Sequence, residues 1–236
     1  MNDFSQHTKD VLTKLRSDPS LLEKKCPEMK KKLDLRCGTG QGLGNKCSDQ
    51  EASFATFLEE CGWTNNDDGS AINGLAYKYQ ANGTQKAIDF QLQYVENSKI
   101  AKFVNVDLKH SDKTSIFLND GTFMNDVLYI ISFTRLLDKV KGKRRCPREH
   151  VCAIVLGQDV MTPNDKSALE KRFALIKQLN STKEDLDYLT LYIRNANQFS
   201  CKQFTTQFNE GAFKKVVEWI VPSASPTEQE QHSRSV

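Results

Sequence analysis

The rhythm of hydrophobic and polar positions changes along this chain, and each change predicts a different kind of element. Over residues 8–34 apolar side chains are sparse. Val11, Leu12, Leu15, Leu21 and Leu22 give a partial face around Asp18-Pro19-Ser20, which predicts one or two polar helices. A further helix is predicted after Ser48 or Asp49, either of which can cap it. Phe54, Phe57, Leu58 and Cys61 recur on one face, and Gly62 stops it. From about Leu75 to Phe133 the pattern shortens to strand-like segments at 75–80, 86–94, 100–108, 114–118 and 127–133. Asn82-Gly83 and Glu96-Asn97-Ser98 supply turns between the first three, which predicts an antiparallel meander. A strand at 151–156, a helix at 164–179 opened by Pro163, a strand at 187–193 and a helix near 210–220 follow.

This order predicts an α/β fold, a mixed central β-sheet with the meander at one edge and helices flanking it. At 236 residues the chain suits a single domain over 1–221, with 8–34 as a helical preface and a polar tail over 222–236 predicted to be disordered. No apolar run approaches the ~18 residues a membrane helix needs. Met1 to His7 lacks the charged start and apolar stretch of a signal peptide, which points to the compartment of synthesis. Seven widely spaced cysteines, an odd number without a CxxC pair, argue for free thiols in a reducing compartment. Cys146, His150 and Cys152 form a zinc-like cluster, but a structural site needs four ligands and no second pair stands at usable spacing. The net charge of +3 excludes nothing, so the placement of charge matters. Lys24, Lys25, Lys30, Lys31, Lys32 and Arg36 form one basic run. Lys139, Lys141, Lys143, Arg144, Arg145 and Arg148 form another. Each alone reads as a solvated face, while two in one chain lean toward a polyanion. The glycines at 38, 40, 42 and 44 suit a closely approached loop but match neither a dinucleotide fingerprint nor a Walker loop.

Chemistry concentrates in the meander. Asp89 falls in its second strand and Asp107 near the end of its third, with Lys109 two residues further on. Asp107 and Lys109 share a face because strand side chains repeat every second residue, and Asp89 can reach that face from the neighbouring strand. Two carboxylates and an ammonium are the parts that phosphodiester hydrolysis needs: hard oxygens for a metal, and a cation to position water. His110 should point to the opposite face from Lys109, which makes it structural. Glu51 has two readings, a further carboxylate facing the site or a capping-box residue three positions after Ser48.

Asp89, seventeen intervening residues, then Asp107-Leu108-Lys109 resembles the PD-(D/E)xK nuclease motif, with Ile88 in place of its proline. The helix after Ser48, carrying Glu51, resembles the glutamate-bearing helix that often precedes the core strands of that superfamily. The stretch KHSDKTSIFLNDGTFMNDVLYIISF is similar to segments of type II restriction endonucleases, so the resemblance covers roughly residues 36–135. It implies a restriction-endonuclease-like core that uses Mg²⁺ to cleave double-stranded DNA at a short specific sequence. In that reading Asp89, Asp107 and Glu51 hold metal, and Lys109 orients or helps deprotonate water. Asp112, Asp120 and Asp126 are alternatives for the first ligand.

Ser111, Lys113 and Thr114 lie just beyond the site and can bind phosphates. Arg194, Asn195, Asn197 and Gln198 form a candidate recognition loop, since guanidinium matches guanine and amides match adenine. Gln158 and Asp159 offer a second loop. The resemblance further implies a homodimer, since two-fold proteins match palindromic sites. It also implies a DNA methyltransferase as functional partner, and action in the cytoplasm of a bacterial or virus-infected host cell. The rivals are a repair or processing nuclease that reads DNA structure, and a non-catalytic nucleic-acid-binding module.

Overall fold

The computed structural model describes residues 2–25, 48–70, 73–81, 88–111, 115–118, 122–136, 148–181, 197–200 and 206–221. Helix α1 (Asn2–Ser17) turns at Asp18, whose carbonyl accepts from Leu21 N at 2.9 Å, into the short α2 (Leu21–Lys25). It starts six residues earlier than its sparse apolar pattern suggests. The reason is tertiary: Phe4 packs edge-on against Trp63 at 5.8 Å, and the buried Ser5 hydroxyl donates to the Ile220 carbonyl at 2.8 Å.

Helix α3 (Ser48–Glu60) ends as predicted at Gly62, whose φ of +85° only glycine takes readily, while Trp63 N donates back to Leu58 O at 3.0 Å. Strand β1 (Thr64–Asn65) follows, then β2 (Gly74–Tyr79), β3 (Phe90–Glu96) and β4 (Lys99–Ser111). The last three form the predicted antiparallel meander. Asn97 and Ser98, with φ of +50° and +64°, make the tight β3–β4 turn, whose twist matches the strands it joins. The third strand runs to Ser111, so Lys109 lies within it, and the second begins at Phe90, so Asp89 stands just before it.

Strands β5 (Ser115–Leu118), β6 (Val127–Leu136) and β7 (Arg148–Leu156) lead to α4 (Gly157–Val160) and α5 (Pro163–Ser181), then β8 (Asn197–Ser200) and α6 (Thr206–Ile220). The main sheet has six strands in the order β1-β2-β3-β4-β6-β7, with β4 parallel to β6 and β1 parallel to β2. It is a mixed, open sheet flanked by helices. Strand β5 stays out of it because β4 is paired on both sides; it pairs with β8 instead. The predicted strand at 187–193, the glycine-rich loop and the tail lie outside the described residues.

Alternation divides the sheet into two faces. Phe90, Leu92, Val104, Val106, Leu108, Leu128 and Ile130 point to a core built with α1, α3 and α6. Tyr129, Ile131, Ala153 and Val155 point the other way, to a second cluster with Ile116, Leu118 and Phe123. Among the described residues no helix is long and apolar enough to cross a membrane.

Candidate active site

The alternation that buries Val106 and Leu108 under α3 puts Asn105, Asp107 and Lys109 on the second face. Register does the rest. Phe90 pairs with Val106, and one residue beyond the strand Asp89 N still donates to Val106 O at 3.1 Å. The Asp89 carboxylate then accepts from Leu108 N at 2.7 Å, which fastens it to the β4 backbone beside Asp107, while its carbonyl accepts from Gln80 N at 2.8 Å. Asp107 is 1% exposed, and the Lys109 ammonium donates to its Oδ1 at 2.5 Å. Burial holds the Asp107 proton on well above the ordinary carboxylate range. Lys109 works against burial, and Asp89 reinforces it by charge and by a side-chain hydrogen bond.

Glu51 arrives from the other layer. Phe54, one turn along α3, packs edge-on against Phe90 at 5.0 Å, which brings Glu51 to the place where β2 ends and β3 begins. The Tyr79 hydroxyl donates to Glu51 Oε2 and accepts from Gln80 Nε2 at 2.9 Å, with the Tyr79 ring against Phe90. Burial raises the Glu51 pKa, the Tyr79 hydrogen bond lowers it, and the charges of Asp89 and Lys109 then act in opposite senses. Burial and the Glu51 partner push the Tyr79 hydroxyl up in turn, so it stays protonated as a donor. Glu51, Asp89, Asp107 and Lys109 thus act on one another, and Tyr79 joins them. Tyr79 carries no signal in the sequence, because only the pairing of β2 with β3 and the seat of α3 put it there.

Hard oxygens suit Mg²⁺, and a buried carboxyl pressed against a second carboxylate is relieved by a cation. Among the described residues no three His, Cys, Asp or Glu side chains form a group able to hold a metal. Mg²⁺ commonly takes only one or two carboxylates, with water and phosphate completing its shell, so the Asp89–Asp107 pair fits it.

Of the alternatives for the first ligand, Asp126 is exposed before β6, and Asp112 and Asp120 lie outside the described residues. So do Lys113, Thr114, Arg194 and Asn195. Ser111 closes β4. Asn197 and Gln198 are not in a loop: they stand in β8 opposite Leu118 and Phe117, where backbone pairing with β5 overrides their polar composition. Gln158 and Asp159 are likewise in α4 rather than a loop, and Asp159 accepts from Lys215 at 3.3 Å. His110 pairs across to Ser132 on the face away from Lys109, as alternation predicts. His150 lies 3.3 Å from the Glu23 carboxylate, and burial pushes the Cys152 thiol up to about 12. Comparison with family models, with curated proteins and with solved structures finds no match to this chain.

Proposed function

We propose that this chain is a Mg²⁺-dependent endonuclease with a restriction-endonuclease-like core of the PD-(D/E)xK kind, hydrolysing phosphodiester bonds of double-stranded DNA at a short specific sequence. The observation that carries the reading is the meeting of Asp89, Asp107 and Lys109 on one sheet face, 18 positions apart in sequence at the widest step. The glutamate-bearing helix before a three-stranded meander supports it. Asp89 and Asp107 would hold the ion, which when bound supplies charge neutralisation at the phosphate and a more acidic water. Lys109, anchored on Asp107, donates to the attacking water and keeps its lone pair in line with phosphorus. Glu51, made more basic by burial and fixed by Tyr79, receives the water proton. A homodimer on a palindromic site and a methyltransferase protecting the same sequence belong to this reading.

Digestion of a long unmethylated duplex tests it: discrete bands in Mg²⁺ and none in EDTA are expected. Asp107→Ala and Lys109→Ala should each abolish cleavage yet still bind duplex in Ca²⁺, because most duplex affinity comes from phosphate contacts elsewhere. Near wild-type cutting by either variant would overturn the assignment, and a smear in place of bands would favour a nuclease that reads structure.

A further inference from the structure

The row of β4 that carries Asp107 and Lys109 continues backwards through Asn105 to Phe103. Phe103 is 55% exposed, whereas Phe4, Phe54, Phe57 and Phe90 are buried. A register shift at Tyr94/Val95 pairs Ile100, 50% exposed, with Val95, which returns it to the Phe103 face. Between the bare ring and the carboxylates lies a chain of amides. Asn66 Nδ2 donates to Gln93 at 3.1 Å, Gln93 Nε2 to Gln91 at 2.8 Å, and Gln91 Nε2 to Asn105 Oδ1 at 3.0 Å. The chain ends at Asn105, two residues before Asp107 on the same strand face, and begins with a buried Asn66 Oδ1 that has no hydrogen-bond partner among the described residues. Lys78, opposite Gln91, adds a cation to the same face as Lys109. Among the described residues the apolar cover of this face gathers over β6, β7 and the approach to Asp89, away from Phe103.

We propose that Phe103 is a base platform: an unpaired base of the DNA strand stacks on its ring while Asn105 donates to the backbone of that strand on its way to Asp107. The inference rests on the nuclease reading for the strand's direction. What favours DNA over a protein partner is continuity with the carboxylate–lysine site, the flanking lysines, and a row of amides fixed as hydrogen-bonding groups, next to a ring that offers a π-face to any base. Four strand residues span about 13 Å. That equals about four stacked nucleotides at ~3.4 Å each, and fewer when the strand is unstacked.

Phe103→Trp makes the contact visible. In Ca²⁺, a mixed-sequence single-stranded DNA, and a duplex carrying unpaired nucleotides at one end, should each quench its emission; the wild-type chain supplies the baseline of Trp63 and Trp219. Phe103→Ala should weaken both probes by roughly 5- to 150-fold, the range of base–aromatic stacking. It should leave a fully paired duplex little changed, and Phe103→Tyr should retain the affinity. Unchanged emission, or equal losses on paired and unpaired probes, would overturn the platform. Quenching by a chain that cuts no DNA in Mg²⁺ would remove the nuclease reading and leave the platform standing. Cutting in Mg²⁺ with unchanged Phe103→Trp emission, and with no loss of affinity for the unpaired probes in Phe103→Ala, would do the reverse.

Discussion

Replacing Asp107 by asparagine should stabilise the metal-free fold at alkaline pH while abolishing cleavage. The carboxyl is 1% exposed and lies against Asp89, so burial first, and Asp89 after it, raise its pKa in the folded chain against the pull of Lys109. A group raised in this way takes up protons on folding. Its contribution is most favourable below the ordinary carboxylate value near ~4 and is lost as pH climbs through the raised folded value. Each unit of elevation corresponds to about 1.4 kcal/mol, or roughly 3–5 °C of melting temperature for a chain of this length. Asparagine has the same shape without the charge, so Asp107→Asn should melt higher than wild type by that amount per unit at about pH 8 in EDTA, and the gap should close toward about pH 4. Thermal melts followed by circular dichroism across that range measure it. A variant that melts lower at the alkaline end, or whose margin ignores pH, would refute the reasoning. On the proposed function, Mg²⁺ should narrow the gap from the other side by binding and stabilising the wild type.

Tyr79→Phe removes the donor that fixes Glu51 and should slow single-turnover cleavage about tenfold or more, since hydrogen bonds to charged groups are worth ~1.5–3 kcal/mol. An unchanged rate would return Glu51 to capping its helix. Gly157→Ala places a Cβ 1.8 Å from the Met124 carbonyl oxygen, so the backbone must yield. A loss of about 1–3 kcal/mol in urea unfolding is expected, and an unmoved midpoint would contradict that close approach. Arg194→Ala should cost about 1–3 kcal/mol on the cognate duplex and much less on random DNA at fixed salt in Ca²⁺, with equal losses marking a phosphate contact instead.

The parts of the site that one strand carries were legible because alternation is local. Asp107 and Lys109 face away from Val106 and Leu108 whatever the rest of the chain does, and His110 follows from the same count. The place of Asp89 needed a motif as well, because its approach to Asp107 depends on the β3–β4 register and on a carboxylate that replaces a strand hydrogen bond. Tyr79 and the amides of Gln91, Gln93 and Asn105 carried no signal of their own. They are ordinary strand residues until three strands are laid side by side. The early start of α1 and the pairing of β5 with β8 were hidden for a related reason. Ser5 finds its partner 215 residues away, and Asn197 and Gln198 enter a strand through backbone bonds that side-chain pattern does not report.

The alternation along β4 ties two properties that proteins often keep apart. A slip of one residue against β3 and β6 would turn Asp107 and Lys109 into the apolar layer under α3 and put Val106 and Leu108 in their place among the polar groups of the other face. A chain in the wrong register would therefore lose its chemistry and its stability together, leaving no well-folded but silent form on that strand. For the proposed nuclease, turnover per molecule then becomes a gauge of folding yield: in a refolded preparation the active fraction should equal the native fraction. Selecting variants for activity alone would also select for correct strand pairing at the centre of the sheet.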